Sequence, residues 1–400
     1  MRRPRPILST ALLVPMLALE AEGHLPPRHS TSIRARQTPE YLQRPIIPLH
    51  ASVGFYANSV IRATTWLSDS VLLLDGPGKR VLVMDSAGLV VRSLALHDGS
   101  QFPSIIGRHA AGIWVGDPGT GTLHVFDGSG RPMETPIQFH VQADGSPYYE
   151  GVYPDWLLAD GTVASVPRLN GELLAAGLGT DPPLLRFNKT GERLLTYSRC
   201  DYRNTAFKVR VSPEREVVLR QPFTDADICL ASPNGEAVYH IQRRVGTHLQ
   251  PAEFSVTMFA ADGQRRWRFI YRLQPVVISV AVVDSVVRGI VARLRAERDQ
   301  PAVAARVRSR LYLPEALPPV EEVLPAIDTS GLWLNVRTDM PHERQVWLRV
   351  DATGRVDRAV SLPRSVSVLA FVGSWAIVRD VTGGLSRVWY RSADVPVRRR

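Results

Sequence analysis

The chain has 400 residues, of which 44% are hydrophobic and 22% are charged, a balance that excludes a largely disordered protein. Its formal charge of +10 is carried almost entirely by arginine, since Lys79, Lys189 and Lys208 are the only lysines. The basic residues are scattered along the sequence, so the charge does not indicate a nucleic-acid-binding surface, and we do not expect nucleic acid as a partner.

The first 21 residues have the layout of a secretory signal peptide. A basic start, which includes Arg2 and Arg3, precedes an apolar run from Ile7 to Leu19. That run is too short to span a membrane as a mature helix. The alternative to a signal peptide is an apolar N-terminus that is frayed. We therefore expect a periplasmic or extracellular protein with no transmembrane segment in the mature chain. Residues 22–44 are polar and rich in proline, which predicts a flexible lead-in.

A short apolar strand, a polar or glycine-containing turn and a second strand recur six times along the chain. The copies occupy residues 82–94, 124–137, 185–197, 229–241, 257–269 and 348–360. A repeated unit of this size cannot bury its own apolar face, so it must stack on its neighbours. At roughly 40 to 50 residues per blade, residues 45–391 are predicted to form an all-β, six-bladed β-propeller.

The first and last blades predict how the ring closes. In the first blade, four strands are expected at residues 60–67, 71–75, 81–85 and 89–96. The last blade shows three strands before the chain ends, and we predict that its outer strand comes from residues 44–53, so that both termini close the ring. Residues 392–400 then form a basic tail.

One segment, residues 284–313, breaks the β pattern because its apolar residues recur at helical spacing. Asp284 or Ser285 is expected to cap a first helix, and Pro301 to lie in the opening turn of a second. Arginines fill the polar side. The pattern favours a short helical insertion packed on the propeller with solvated arginines over a docking arm for an acidic partner or membrane headgroups.

Residues 71–90 (VLLLDGPGKRVLVMDSAGLV) and 112–131 (GIWVGDPGTGTLHVFDGSGR) resemble the repeat of NHL-type six-bladed propellers. In that repeat an apolar strand ending in Asp leads through a turn to a strand ending in an Asp-Gly type hairpin. Residues 45–391 as a whole resemble the uncharacterised exported six-bladed propeller proteins of soil bacteria, including the helical insertion and the segments LPEALPPVEEVL and GLWLNV that follow it. The resemblance implies a fold and no particular activity, because that group has no agreed activity.

The sequence contains no GxSxG elbow before a helix, no HExxH motif and no phosphate-binding loop, and its ten histidines never fall at metal-ligand spacing. Its Asp-Gly pairs lack the alternating acidic ligands of an EF-type calcium loop and are explained by turn chemistry. Cys200 and Cys229 lie where one blade ends and the next begins. They fit an exported protein in which a disulfide can form, although the sequence leaves the bridge open. Metal ligation by this pair is disfavoured, because no histidine is partnered with it along the sequence.

An aromatic stretch at residues 148–156 is a candidate ligand-binding site where a blade begins. It combines aromatic rings with carboxylates, which suits sugar or cationic ligands. Its members are Tyr148, Tyr149, Glu150, Tyr153, Asp155 and Trp156. In the alternative interpretation, Tyr153 and Trp156 pack between blades while the others lie at the rim.

A second candidate site depends on the channel that inner strands enclose in a propeller. Lactonases and esterases of the gluconolactonase type hold a calcium ion there with Glu, Asn and Asp. The corresponding candidates in this chain, which do not match that family's ligand motifs, are Asn58, Glu150, Asp155, Asp227 and Asp328. Converging carboxylates in the channel would favour such an enzyme, whereas an apolar channel would favour a binding protein.

The sequence therefore predicts an exported binding or scaffolding module that contacts a small molecule or a protein at the channel mouth and its loops. No catalytic residue and no cofactor are identified. The competing hypothesis is a calcium-dependent hydrolase of lactones or esters that uses the central channel. Fold alone cannot separate the two, because propellers support both.

Overall fold

The computed structural model describes residues 30–32, 47–48, 61–65, 70–75, 78–85, 89–96, 100–109, 112–142, 149–294, 300–327, 331–338, 344–380, 384–390 and 393–394. These residues form a six-bladed β-propeller with few helices, so the predicted fold class is confirmed. Among them, no helix combines the length and the apolar content needed to cross a bilayer.

The first half of the chain supplies blades 1 to 3. Two short strands come first: β1 (Ser30–Ser32) and β2 (Ile47–Pro48). Blade 1 contains β3 (Ile61–Thr65), β4 (Val71–Asp75), β5 (Arg80–Met84) and β6 (Val90–Ala95). Blade 2 contains β7 (Ile105–His109), β8 (Gly112–Asp117), β9 (Thr122–Asp127) and β10 (Ile137–Gln138). The next elements are β11 (Tyr149–Gly151), β12 (Trp156–Leu157), β13 (Val163–Ser165), β14 (Arg168–Leu169), α1 (Gly171–Ala175), β15 (Pro183–Phe187) and β16 (Arg193–Arg199), of which β12, β13, β15 and β16 form blade 3.

The second half supplies blades 4 to 6. A separate hairpin, β17 (Ala206–Ser212) and β18 (Arg215–Arg220), precedes blade 4, which contains β19 (Ile228–Ala231), β20 (Ala237–Arg244), β21 (Ala252–Ala260) and β22 (Arg265–Leu273). Two helices follow, α2 (Val280–Arg293) and α3 (Gln300–Arg310). Blade 5 contains β23 (Val320–Pro325), β24 (Leu332–Val336), β25 (Arg344–Val350) and β26 (Val356–Pro363). The last strands are β27 (Ser367–Val372), β28 (Trp375–Arg379), β29 (Leu385–Trp389) and β30 (Ala393–Asp394).

Blade 6 closes the ring by combining the two ends of the chain. Strand β2 pairs antiparallel with β29, with Ile47 opposite Arg387 and Pro48 opposite Ser386. This is the closure predicted from the three-stranded last blade. Two further strands extend other blades: β1, within the predicted flexible lead-in, pairs in parallel with β22, and β30, within the predicted tail, pairs with β26. Neither short segment carries an apolar alternation that could have predicted its pairing.

We denote the four strands of each blade A to D from the channel outward. The turn between strands C and D is built in the same way in several blades. In blade 2, Asp127 Oδ1 accepts hydrogen bonds from the N–H groups of Ser129 (2.7 Å) and Arg131 (2.9 Å). Asn188 in blade 3 and Asp351 in blade 5 accept the equivalent pairs of bonds. Short polar side chains that bind their own turn explain why Asp or Asn recurs at the start of these turns.

A glycine in each of these turns packs against the outer strand of the preceding blade. Gly354 of blade 5 has φ +81°, and a Cβ atom placed on it would lie 2.3 Å from the Phe269 ring of blade 4. The same relation joins Gly130 to Leu94, Gly191 to Phe139 and Gly263 to Leu195. Both the left-handed backbone and the close approach therefore require glycine at these positions.

Three insertions form an accessory lobe, which consists of α1, β17, β18, α2 and α3. Because strands alternate in direction, B–C connections and D–A connections between blades emerge on the same face of the disc, and all three insertions lie in such connections. A separate apolar core joins the β17–β18 hairpin to α2 and α3, and Phe207, Val209, Val287 and Val307 contribute to it. Helix α1 contacts the hairpin through the ion pair between Glu172 and Lys208. The face of the disc on which the three insertions lie is called the insertion face below.

The helical insertion is present, although its first boundary differs from the prediction. Helix α2 begins at Val280, and the Ser279 side chain accepts a hydrogen bond from the Val282 N–H, so the expected caps Asp284 and Ser285 are wrong. Asp284 instead pairs with Arg308 across the two helices. The β-branched residues before Asp284 favour a strand by propensity, so the sequence did not indicate that the helix begins there. Pro301 lies in the first turn of α3, as predicted.

Substituting three glycines by alanine should separate backbone strain from packing. We expect Gly354→Ala to lower the free energy of unfolding by about 3 kcal/mol, because it combines a left-handed backbone with overpacking against Phe269. Gly177→Ala, at φ +76° in open space, should cost about 1 kcal/mol from backbone strain alone. Gly289→Ala, in an open position of α2, should stabilise by about 0.5 to 1 kcal/mol.

Urea unfolding of the three variants beside the unmodified chain measures these differences. If Gly354→Ala and Gly177→Ala lowered the free energy of unfolding equally, the contact of Gly354 with Phe269 would add nothing to the cost of the backbone conformation.

Candidate functional site

The A strands of blades 2 to 6 surround a cavity of about 220 Å³ in the central channel. Each of these blades contributes apolar side chains to its wall, among them Ile105, Trp156, Ile228, Val323 and Leu369. The lining residues that the structure describes are all apolar, with Cys229 as the single one that carries a reactive group. The channel of the described chain therefore offers hydrophobic contact rather than converging oxygen ligands.

One end of this cavity is narrowed by the A–B turn of blade 4. The Arg108 N–H in blade 2 donates a hydrogen bond of 2.6 Å to the Pro233 carbonyl in that turn. A Cβ atom on Gly107 would lie 2.5 Å from the same oxygen, so only glycine permits the contact. Since A–B turns lie on the face opposite the insertions, the insertion face forms the other end of the channel.

The structure separates the residues of the candidate aromatic site. Trp156 lines the channel, whereas Tyr149 is buried in the core shared by blades 2 and 3. Tyr153 lies between the His140 ring, stacked at 4.8 Å, and the Arg168 guanidinium, 4.2 Å from its centroid. Glu150 is exposed, and Tyr148 lies outside the described residues. The described residues of the stretch thus do not form one aromatic pocket. Tyr149 and Glu150 are successive residues of β11 and point to opposite sides of it, while Tyr153 and Trp156 lie beyond that strand.

Asp155 lies at the start of strand A in blade 3, beside the channel residue Trp156. Its Oδ2 accepts a hydrogen bond from the Val166 N–H at 3.0 Å. Burial raises the pKa of the Asp155 carboxyl to about 7, against the lowering effects of that N–H and of the Arg168 guanidinium. A carboxyl group that exchanges its proton near neutral pH therefore lies at the end of the channel on the insertion face.

Asp227 occupies the equivalent position at the start of strand A in blade 4. Its Oδ2 lies 2.6 Å from His240 Nε2 and accepts a hydrogen bond of 2.8 Å from the Asp201 N–H. Asp227 and His240 are 8% and 5% exposed, so neither reaches bulk water freely. The sulphur atoms of Cys200 and Cys229 are joined in a disulfide beside this pair.

Arg243 is a buried cation in the same region. It donates hydrogen bonds to the Ala226 carbonyl at 2.6 Å and to the Val320 carbonyl at 2.9 Å, which links the starts of blades 4 and 5. Burial lowers the pKa of Arg243 to about 10, although the charge of Asp225 opposes this shift. Burial also raises the pKa of Asp225. The two opposite charges partly compensate for the loss of hydration that each suffers.

Tyr202 interacts electrostatically with Asp155 of blade 3 and Asp227 of blade 4. Burial raises its pKa to about 12, and the negative charges of Asp155 and Asp227 add to the shift. The tyrosine hydroxyl therefore stays protonated at neutral pH in the field of both carboxylates. The starts of two neighbouring A strands thus form one electrostatically coupled region on the insertion face.

The calcium-ligand candidates are not brought together in the part of the chain that the structure describes. Glu150 is exposed, Asp155 is engaged by Val166, and Asp227 by His240 and Asp201. Asn58 and Asp328 lie outside the described residues. A group of side chains close enough to hold a metal ion does exist, but it consists of Cys200, Cys229 and His240.

Sequence reasoning missed this group because it compared the cysteines with histidines along the chain rather than across a hairpin. In the β19–β20 ladder, Cys229 is directly opposite His240. The repeat at residues 229–241 predicts this hairpin, so counting back from its turn could have paired the two residues. The position of Cys200 in the preceding blade depends on how the blades stack and is not visible in the sequence.

The carboxyl group of Asp155 should make the protein less stable as pH rises from about 4 to about 7. In this window the unfolded chain has already released the proton that the folded chain still holds, so deprotonation favours unfolding. We expect Asp155→Asn, which keeps an acceptor for the Val166 N–H, to flatten this part of the stability profile. Urea midpoints at pH 5 and pH 8 measure the change.

Asp127→Asn is the matched control for this experiment. A hydrogen bond from the Ser129 hydroxyl lowers the pKa of Asp127, so it titrates below the window, and Asn188 shows that the turn accepts asparagine. If stability changed with pH in the same way in Asp155→Asn and in Asp127→Asn, the raised pKa of Asp155 would be contradicted.

The solved structures that are similar to this chain share little sequence identity with it. A member of the DUF4221 family from Bacteroides vulgatus is 9% identical, with 90% of this chain and 100% of that chain covered and a TM-score of 0.45. A putative exported protein from Bacteroides fragilis is 8% identical, with 92% and 99% covered and a TM-score of 0.42. Virginiamycin B lyase from Staphylococcus aureus is 8% identical, with 86% and 98% covered and a TM-score of 0.38.

No family model matches the sequence, and no curated protein matches it. At these identities and TM-scores the similarities carry no argument about this chain. Function has to be argued from the channel and the insertion face themselves.

Proposed function

We propose that this chain is an exported binding module that holds a small apolar ligand, or an apolar side chain of a protein partner, in its central channel. The observation that carries the proposal is the apolar wall around a cavity of about 220 Å³, with Trp156 beside the polar residues of the insertion face. Apolar cavities of roughly 150 Å³ bind benzene-sized molecules in other proteins. Contact at the channel mouth then involves Asp155 and the accessory lobe.

Export is supported by the signal-like start of the sequence and by the disulfide between Cys200 and Cys229. Disulfides persist in oxidising compartments such as the periplasm and the extracellular space.

The lining chemistry supports binding over calcium-dependent hydrolysis. Calcium requires six to eight oxygen ligands, and the described wall of the channel offers aliphatic and aromatic carbon instead. The Asp155 and Asp227 carboxylates lie at the channel end, and each is already engaged by a hydrogen-bond donor of the protein. Among the residues that the structure describes, no specific contact favours the hydrolase hypothesis.

Benzene should stabilise the protein by filling the channel. At ten times its dissociation constant, a ligand that binds only the folded chain adds about 1.4 kcal/mol to the free energy of unfolding. We expect this gain to disappear in Leu369→Trp, whose larger ring occupies the cavity. Leu313→Trp, a substitution at an exposed leucine, should retain it. An equal rise in Tm for both variants would place benzene elsewhere and contradict the proposal.

Thermal melts of the disulfide-bonded protein in excess calcium and in EGTA distinguish the two hypotheses. We expect the two curves to coincide, because the described channel residues offer no set of oxygen ligands. An increase of several degrees in calcium, lost in Asp227→Asn and retained in Asp127→Asn, would instead support the hydrolase.

A further inference from the structure

Blade 4 contains a compact group of two sulphur atoms and one imidazole. Cys200, Cys229 and His240 each place one potential ligand atom within 4.8 Å of the other two. Cys200 is 0% exposed and His240 5% exposed, so the group is shielded from bulk water. Two thiolates and an imidazole are a donor set that Zn²⁺ prefers in proteins.

The fold fixes all three positions. Cys200 directly follows β16, the outer strand of blade 3, whereas Cys229 and His240 are cross-strand partners in blade 4. The Cα atoms of the two cysteines are 7.1 Å apart. Tetrahedral zinc with Zn–S bonds of about 2.3 Å needs its sulphur atoms about 3.8 Å apart. Backbones at this separation leave the side chains room to open to that distance.

One ring nitrogen of His240 is held by a carboxylate. Asp227 Oδ2 lies 2.6 Å from Nε2, which leaves Nδ1 as the nitrogen with a lone pair to donate. Asp227 is in turn fixed by the Asp201 N–H at 2.8 Å. A carboxylate that holds the second ring nitrogen of a ligating histidine is a common feature of zinc sites, where it fixes the tautomer and increases the basicity of the ligand.

The group adjoins the central cavity, because Cys229 also lines that cavity. Zinc with three protein ligands keeps a fourth position for water or a bound molecule. A metal at this site would therefore adjoin the channel rather than a closed structural core.

We infer that Cys200, Cys229 and His240 form a zinc site that is available in the reduced protein and blocked by the disulfide. A dithiol reductant supplies two electrons and two protons, which break the S–S bond and give two thiols while the reductant becomes a disulfide. Zn²⁺ then binds the two sulphur atoms and Nδ1, and the two thiol protons pass to solvent. This site does not depend on the proposed apolar ligand.

Cobalt(II) titration of the full protein, with and without dithiol reductant, tests the inference. The reduced protein should bind one equivalent with the absorption of tetrahedral, thiolate-ligated cobalt, and zinc should displace it. The oxidised protein should bind none. We expect His240→Gln to weaken zinc binding by at least about 100-fold and Asp227→Asn by about 10- to 100-fold. His248→Gln, at an exposed histidine, should stay within about twofold of the unmodified chain.

Thermal melts of each variant show whether it remains folded, and the cysteine variant Cys200→Ser gives a second loss of binding that does not involve the histidine. A reduced protein that gives no tetrahedral cobalt spectrum would overturn the inference. So would equal affinity in His240→Gln and His248→Gln, or unfolding of the reduced chain before it binds metal.

Discussion

The stacking of each blade on the one before it is the contact on which the rest of this structure depends. A single four-stranded blade exposes two apolar faces, and burial against neighbours on both sides removes them from water. The glycine turns make this stacking close, since Gly354 leaves space for the Phe269 and Trp267 rings. Polar groups at the same junction are satisfied as well: Trp267 Nε1 donates to the Ala352 carbonyl and the Tyr271 hydroxyl to the Gly354 carbonyl.

Because stacking involves the faces of the blades, insertions are accommodated where a chain leaves one blade for the next. The β17–β18 hairpin and the α2–α3 pair both lie in such connections, and they bury their apolar residues against each other. Gln221, which follows β18, forms hydrogen bonds to the end of α3. Its Nε2 donates to the Arg310 carbonyl, and its Oε1 accepts from the Tyr312 N–H. The accessory lobe therefore adds a second core on one face without interrupting the ring.

The region around the channel has an apolar part, which is the cavity wall, and a polar part, which lies on the insertion face. Trp156 and Ile228 belong to A strands and line the cavity, whereas Asp155 and Asp227 directly precede those strands. Burial is the largest effect on the pKa of Asp155. The proposed ligand site and the proposed zinc site thus adjoin each other through Cys229, which belongs to the channel wall and to the sulphur group.

The sequence by itself determined the all-β class, the number of blades, the strands of blade 1 and the closure by residues near Ile47, because alternation and turn residues are local signals. It also located the two helices, but it missed the start of α2, the β17–β18 hairpin and the strand at Ser30–Ser32. Only the tertiary structure decided that Trp156 faces the channel while Tyr153 packs under Arg168. It alone placed Cys200 beside His240, since contacts between residues of different blades are set by stacking, which no local pattern encodes.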